Sequence, residues 1–415
     1  MTAIENHDAT GAASAAAVAN GLAAARASAA RYRDWIVAKA LPLWSTVGFD
    51  AGRGMFQERL DWSGAPQETA ARRAMVQCRQ IYVFSHAAHL GWFPEGGRLA
   101  EIAMNSLLGK FCEDRDPSGG FAFSVNAEGR VVSSVRDAYS HAFVLFAIAW
   151  LHRLNGDPRL IDYADRVIAF IDARLQDPVN GGLYDSAPVA DRSKRQNPHM
   201  HLLEASIALE IAAPGRGYLE RAKKLIEIFK TRLFLADPGV LLEYFAEDWS
   251  SHPDMLKRRI FEPGHHFEWV WLLREYEKLS GDDLSPWIRQ LDGVARRNGI
   301  AKSGLIFDEL SADMSVLRRS HRIWPHTEAA KAAVATRCGG ESAAAQFAAA
   351  MLDALAEKFL DKPFAGGWID HVSAEGVPLV DFAPASSLYH LFLAAAETSH
   401  AFPPGSGGER VFDAK

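Results

Sequence analysis

Apolar residues recur at helical spacing along most of the chain, in segments that come in pairs. Phe143, Phe146, Ala147, Trp150 and Leu154 share one helical face and predict a helix over 137–155. A second follows over 158–175, with Gly156-Asp157 as the short link. The same pairing is read over 198–213 with 217–235, and over 265–279 with 284–297. Between pairs a phrase repeats: one or two glycines, then aliphatic or aromatic residues mixed with polar or acidic ones. Taking Gly54, Gly120, Gly182, Gly239, Gly304 and Gly367, the intervals are 66, 62, 57, 65 and 63 residues. Six copies at this spacing are an internal repeat. The phrases are short and extended, and predict small hairpins or strands capping one end.

Six helical hairpins closed on themselves make an all-α (α/α)6 barrel. The alternative is an open helical solenoid, whose terminal repeats carry a polar outer face. The sixth repeat, with Trp368, Leu388, Tyr389, Leu391, Phe392 and Leu393, is as apolar as the middle ones. That favours closure, with one barrel over 15–402. Ala15 to Ala40 reads as an alanine-rich helix, after a disordered start over 1–14. Pro403-Pro404-Gly405 begins a flexible tail over 403–415.

Composition narrows the partners. The chain has 415 residues, 48% hydrophobic and 23% charged, as expected of a globular protein with a large core. Length alone would suggest two or three domains, and the repeat overrides that. A net charge of -6 gives no electrostatic footprint for nucleic acid or an anionic membrane. Cys78, Cys112 and Cys338 lie far apart without a CxxC pair, which argues against a disulfide framework and fits a reducing compartment. No secretory signal and no window of eighteen apolar residues is visible, so a cytoplasmic protein with a small-molecule partner is expected.

Candidate chemistry follows the repeat. Each glycine phrase is followed, 15 to 29 residues later, by polar or titratable groups. These are Arg79, then Tyr139 and His141, then Asn197 and His201, then Glu262, His265 and Glu268, then Trp324, His326 and Glu328, and finally His390. In a closed barrel such positions open onto one rim. Asn197 is a good N-cap and Pro198 a good first helical residue, and His201 shares a face with Asn197 and Glu204. His265 and Glu268, three apart, also share a face. Singly, each has a plain structural reading as a capping cluster, a surface histidine or a satisfied core arginine. Together they form a constellation.

Adjacent histidines on a helix point about 100° apart and those at i,i+2 about 200° apart. Neither His265-His266 nor His199 with His201 can therefore close on one ion, and no HExxH or calcium loop is present. No metal and no cofactor is expected. A nucleophile elbow and phosphate loops are likewise missing. Histidines with glutamates, an arginine and aromatics suit acid and base work on a neutral, hydroxyl-rich molecule whose ring lies on aromatic faces. The basic runs Lys257-Arg258-Arg259 and Arg318-Arg319 with His321 and Arg322 read either as solvated loops or as a hold on an anionic substituent.

The phrases Arg79-Gln80-Ile81-Tyr82-Val83-Phe84, Asn197-Pro198-His199-Met200-His201, Glu262-Pro263-Gly264-His265-His266-Phe267-Glu268-Trp269, Trp324-Pro325-His326-Thr327-Glu328 and Tyr389-His390 resemble the N-acylglucosamine 2-epimerase superfamily, over about 30–400. The branch they are most similar to is bacterial mannose isomerase. The resemblance implies an (α/α)6 barrel, metal-free sugar isomerisation or epimerisation in a central cleft, and a monomer or homodimer. It implies His265 and His390 as the acid/base pair and His201 with Asn197 as the third-repeat pair. Arg79 would contact the sugar near its reacting carbons, Tyr139 and Trp324 would form walls, and Glu268 and Glu328 would orient the histidines. Glu262 stands beside His265 as a further substrate-side carboxylate. Met75 stands where the family often has an aromatic residue. Both histidines are present, so isomerase and 2-epimerase stay open at this point, as does a phosphorylated or sulfonated sugar.

Overall fold

The structure, a computed structural model, describes residues 5–336 and 340–403. The expected tail beyond 403 lies outside the described residues, as do residues 1–4 of the expected disordered start. The first helix, α1, spans Glu5–Trp35, so it begins earlier than the alanine-rich pattern places it. It runs through a π-helical turn, Ile36–Ala40, into α2, Leu41–Thr46.

The paired helices follow as expected, with small boundary shifts. They are α3 Ala74–His89 with α4 Gly96–Phe111, α5 Ala138–Asn155 with α6 Pro158–Arg174, and α7 Gln196–Ala212 with α8 Tyr218–Ile228. Then come α9 Pro263–Ser280 with α10 Ser285–Asn298, α11 Trp324–Thr336 with α12 Glu341–Lys358, and α13 Leu388–Ala401. Asp137 and Asp157 cap α5 and α6 by accepting from Ser140 N and Arg159 N, and Gly156 and Gly281 end α5 and α9 in the left-handed conformation.

Two rings result. The inner helices α3, α5, α7, α9, α11 and α13 pack each on the next, and α13 packs back on α3. The outer helices α4, α6, α8, α10 and α12 each cover the inner helix that precedes them. The residue pattern explains the division. Outer α6 buries Leu160, Ile161, Ala164, Val167, Phe170 and Ile171 as one stripe, whereas inner α7 buries nearly every side chain from Gln196 to Leu209. A helix buried all round belongs inside.

Among the described residues the sixth repeat supplies only its inner helix. Its outer partner is the N-terminal α1, which packs on α12 and α13. Ala25, Ala29, Tyr32, Ile36, Ala40, Leu41 and Trp44 form the docking stripe. Tyr32 donates to Leu391 O at 3.0 Å and Trp44 stacks on Trp368 at 5.5 Å. The barrel is therefore closed by pairing the two ends of the chain.

A second closure encircles the mouth. The strand before each inner helix pairs antiparallel with a strand of the following repeat's glycine phrase. The pairs are Arg72–Arg73 with Ser124–Val125, Arg136–Asp137 with Ser186–Ala187, and Lys194–Arg195 with Tyr244–Phe245. Ile260–Phe261 with Glu309–Ser311 and His321–Arg322 with His371–Val372 continue the series. Phe382–Pro384 then pairs with Arg59–Asp61, which returns the ring to the first repeat. All six inner helices start inside this ring, so their positive dipole ends surround one cleft.

Candidate active site

Five inner helices carry a buried side chain that pins the glycine phrase of its own repeat. Phe56 N donates to Gln77 Oε1 at 2.8 Å, Phe121 N to His141 Nε2 at 2.9 Å and Leu183 N to His199 Nε2 at 2.8 Å. Leu241 N donates to His266 Nε2 at 3.0 Å and Ile306 N to His326 Nε2 at 3.0 Å. In three of the histidines Nδ1 donates to a carbonyl: His141 to Asp137 O at 2.7 Å, His199 to Arg195 O at 2.7 Å and His326 to Arg322 O at 3.0 Å. These bonds fix the neutral tautomer. Burial lowers His199 and His326 to about 4 and His266 to about 3. A methyl group on Gly120 or Gly182 would stand 2.8 or 2.7 Å from the pinned imidazole, and both glycines have positive φ, which fixes glycine at the start of the phrase.

These anchors correct one expectation. His141 and His326 do not join the cleft, because they point outward onto the phrases. Two residues along a helix turn the side chain through about 200°, so the cleft is lined by the positions two before and two after each anchor. Those after are Arg79, Phe143, His201, Glu268 and Glu328. Those before are Met75, Tyr139, Asn197, Gly264 and Trp324, and a methyl on Gly264 would meet the Trp324 ring at 2.6 Å. His265 and His390 complete the set. Apart from His141 and His326, the expected rim positions lie around one cleft, with Met75 buried near Arg79.

Each cleft histidine is held at Nδ1 by a carboxylate. His265 Nδ1 is 2.8 Å from Glu243 Oε1, His201 Nδ1 is 3.0 Å from Glu204 Oε2, and His390 Nδ1 is 2.8 Å from Glu328 Oε1. Glu243 is further fixed by Gln196 Nε2 at 3.0 Å, and Gln196 in turn by Trp269 Nε1 at 2.9 Å. Tyr389 donates to the other oxygen of Glu204. Glu268 departs from its expected part: it bonds no histidine, lies 3.9 Å from His201 Nε2, and its Oε1 is buried without a hydrogen-bond partner. The sequence signal for Glu243 was the acidic end of its glycine phrase. Glu58, Asp308 and Asp370 hold the same place, each bonding toward the start of its own inner helix through Arg73 N, Arg322 N and Ser387 Oγ.

The walls are aromatic. Trp324 lies 5.0 Å from the His265 ring and 5.5 Å from the His390 ring, in contact range of both. Arg79 donates to Tyr139 Oη at 2.6 Å and Ser386 O at 3.0 Å, and its guanidinium stands 4.3 Å over Phe143 and 4.8 Å over Tyr389. The Asn197 Oδ1 is buried with no partner, and Glu262 Oε2 is 3.9 Å from His265 Nδ1 and 3.7 Å from Arg322.

The histidines differ in charge. Burial works against the charged form of His265, but Glu243 and Glu262 outweigh it and raise it to about 10. Burial dominates at His390 and, with Arg79 and Lys331 nearby, lowers it to about 3 despite Glu328. Burial also lowers His201. Burial and the Glu328 charge push Glu268 well up from the usual carboxylate range. Two groups of one histidine and two carboxylates, Glu243/Glu262/His265 and Glu268/Glu328/His390, bring ligand-type atoms within 4.8 Å. In the second, Lys331 Nζ already stands 2.7 Å from Glu328.

A closed helical barrel whose mouth gathers a charged histidine, a neutral histidine, an arginine and aromatic walls defines an enzyme that moves protons on sugars, an isomerase or epimerase. The chain belongs to the N-acylglucosamine 2-epimerase (GlcNAc 2-epimerase) family, whose sequence model matches residues 54–394. It is 32% identical over 375 residues to a mannose-6-phosphate isomerase of Rhizobium meliloti (strain 1021), covering 88% of this chain and 94% of that protein. It is 29% identical over 326 residues to a D-mannose isomerase of Thermobifida fusca, covering 73% and 78%. Its fold matches a cellobiose 2-epimerase of Spirochaeta thermophila DSM 6192 at TM-score 0.80 and 25% identity, over 91% of this chain and 97% of that one. No helix among the described residues is long and apolar enough to cross a membrane.

Proposed function

We propose that the protein is a metal-independent aldose–ketose isomerase that interconverts D-mannose and D-fructose through a cis-enediol. The observation that carries this reading is the pair His265 and His390, both within 5.5 Å of the Trp324 ring, the first held charged by Glu243 and Glu262 and the second neutral. His390, neutral, takes the C2 proton, and the electron pair forms the C1–C2 double bond while His265, charged, gives its proton to the carbonyl oxygen at C1. His265 then takes the proton of the C2 hydroxyl, the C2 carbonyl forms, and His390 returns its proton to C1. Atoms balance, and both imidazoles end as they began. Arg79 and the six helix N-termini stabilise the negative charge that develops on the oxygens. Asn197, Glu268 and Glu262 offer partners to the sugar hydroxyls, His201 stands over the same face, and Tyr139 and Trp324 bracket the ring.

One neutral histidine faces one charged histidine, so a single proton acceptor serves the two carbons, which favours proton return to the neighbouring carbon over return to the opposite face of C2. A second reading, isomerisation of the 6-phosphate, is supported by the name of the Rhizobium meliloti relative. It is also supported by a pocket of about 360 Å³ lined by Glu58, Arg59, Arg73, Phe382 and Pro384, beside the segment whose Ser386 carbonyl holds Arg79. Arg73 is already matched by Glu58 at 2.6 Å, which supports the free sugar over the phosphate. The free Cys78 and Cys112 thiols fit a reducing, cytoplasmic setting.

The test is turnover of mannose, mannose 6-phosphate, N-acetylglucosamine and cellobiose in heavy water with a strong chelator present. Fructose from mannose, carrying deuterium at C1, is expected at an unchanged rate. Deuterium at C2 of glucose with little ketose would make the protein an epimerase. A rate that returns only with an added divalent ion would reject metal independence.

A further inference from the structure

Lys331 lies one turn along α11 from Glu328, and both side chains have no solvent exposure. Its Nζ is 2.7 Å from Glu328 Oε2, has no other polar partner, and stands 4.1 Å from the centroid of the Trp271 ring. The other oxygen of that carboxylate, Oε1, holds His390 Nδ1 at 2.8 Å. One buried carboxylate therefore joins a cation on one side to a cleft-facing histidine on the other.

A buried ammonium is costly, and burial pulls Lys331 toward its neutral form. Glu328, Glu268 and Glu204 outweigh that and raise it. Glu268 faces the pair from α9, Glu204 from α7, and Tyr389, His390 and Glu397 from α13. Tyr82 of α3 and Tyr32 of α1 lie near Glu328, while Arg79 of α3 acts on His390 and His265 of α9 on Glu268 beside it. Lys331 is the cation that touches Glu328 and compensates its charge. Remove it, and the nearest way to keep Glu328 charged is to protonate His390.

We propose that Lys331 is a positioning residue whose ion pair with Glu328 keeps His390 as the neutral Nδ1–H tautomer, with Nε2 free to accept a proton from the sugar. This rests on the reading of His390 as the base. The role is separable from simple packing, because it moves a pH profile rather than only a rate.

The experiment compares Lys331→Met with the charge-retaining Lys331→Arg, following kcat and KM against pH on whichever sugar the wild type converts. In Lys331→Met the acid limb of kcat/KM, set by His390, should rise by at least about one pH unit with KM within about threefold. Lys331→Arg should keep the limb near its wild-type place. A Lys331→Met profile that is lowered without moving, or a limb that moves equally in both variants, would overturn the proposal. Should Lys331→Met fail to fold, the imidazole ¹⁵N spectrum of the wild type decides. A neutral His390 at pH 7 with Nδ1 protonated supports the ion-pair role, and an imidazolium there refutes it. A wild type that turns over no sugar counts against the functional reading alone, since the spectrum still tests the tautomer.

Discussion

Glu243→Gln isolates the charge of one carboxylate while keeping its shape. Glu243 grips His265 Nδ1 at 2.8 Å through the oxygen that also accepts from Glu262 N, and a glutamine's one carbonyl oxygen can still accept from Gln196 Nε2. His265 stands at about 10 instead of its usual 6.5. At about 1.4 kcal/mol per tenfold change in proton affinity, its charged form is favoured by about 5 kcal/mol net of burial. The Glu243 charge is the largest favourable contribution and its hydrogen bond adds to it, ahead of Glu268. Removing both should take away about half of the total, roughly 2–3 kcal/mol, and bring His265 down to roughly 8. The alkaline limb of kcat/KM, expected above about pH 9 in the wild type, then moves down by about 1.5 to 2 units. Stability follows the same sign. A group raised in the folded state contributes fully below its unfolded value near 6.5, and that contribution is lost as pH rises through about 10. The wild type should therefore lose more stability than Glu243→Gln between pH 7 and 10, measured by denaturant unfolding. An alkaline limb that stays in place would refute the assignment of His265 as an acid held by Glu243.

Two further outcomes are expected. His390→Ala and His265→Ala should each lower turnover by about 100- to 10,000-fold with the helical circular dichroism unchanged, while His152→Ala, bonded to Asp157 O away from the cleft, retains activity. His199→Gln should fold, because Gln77 already fills the same place in the first repeat, whereas His199→Leu should cost about 1–3 kcal/mol by leaving Leu183 N buried and unpaired, read from the denaturation midpoint.

The amino-acid sequence by itself determined the repeat, the helix pairs and most of the cleft. Helical periodicity and glycine spacing are local properties, so α5 to α10 and the six phrases could be read without coordinates. The residues His201, His265, His390, Arg79 and Glu328 could be picked out because polar groups in otherwise apolar inner helices stand out. The tertiary structure decided which histidines face the cleft and which hold the frame. His199 and His201 look alike in sequence, yet a rotation of about 200° sends one onto its glycine phrase and the other into the cleft. It also decided the partners, because the bonds from His390 to Glu328 and from Tyr389 to Glu204 span 62 and 185 residues. Only closing the ring brings those pairs together. The sixth outer helix comes from the N-terminus for the same reason: α1 has its apolar stripe in the sequence, but which surface it covers is set by where α12 and α13 end up in the closed barrel.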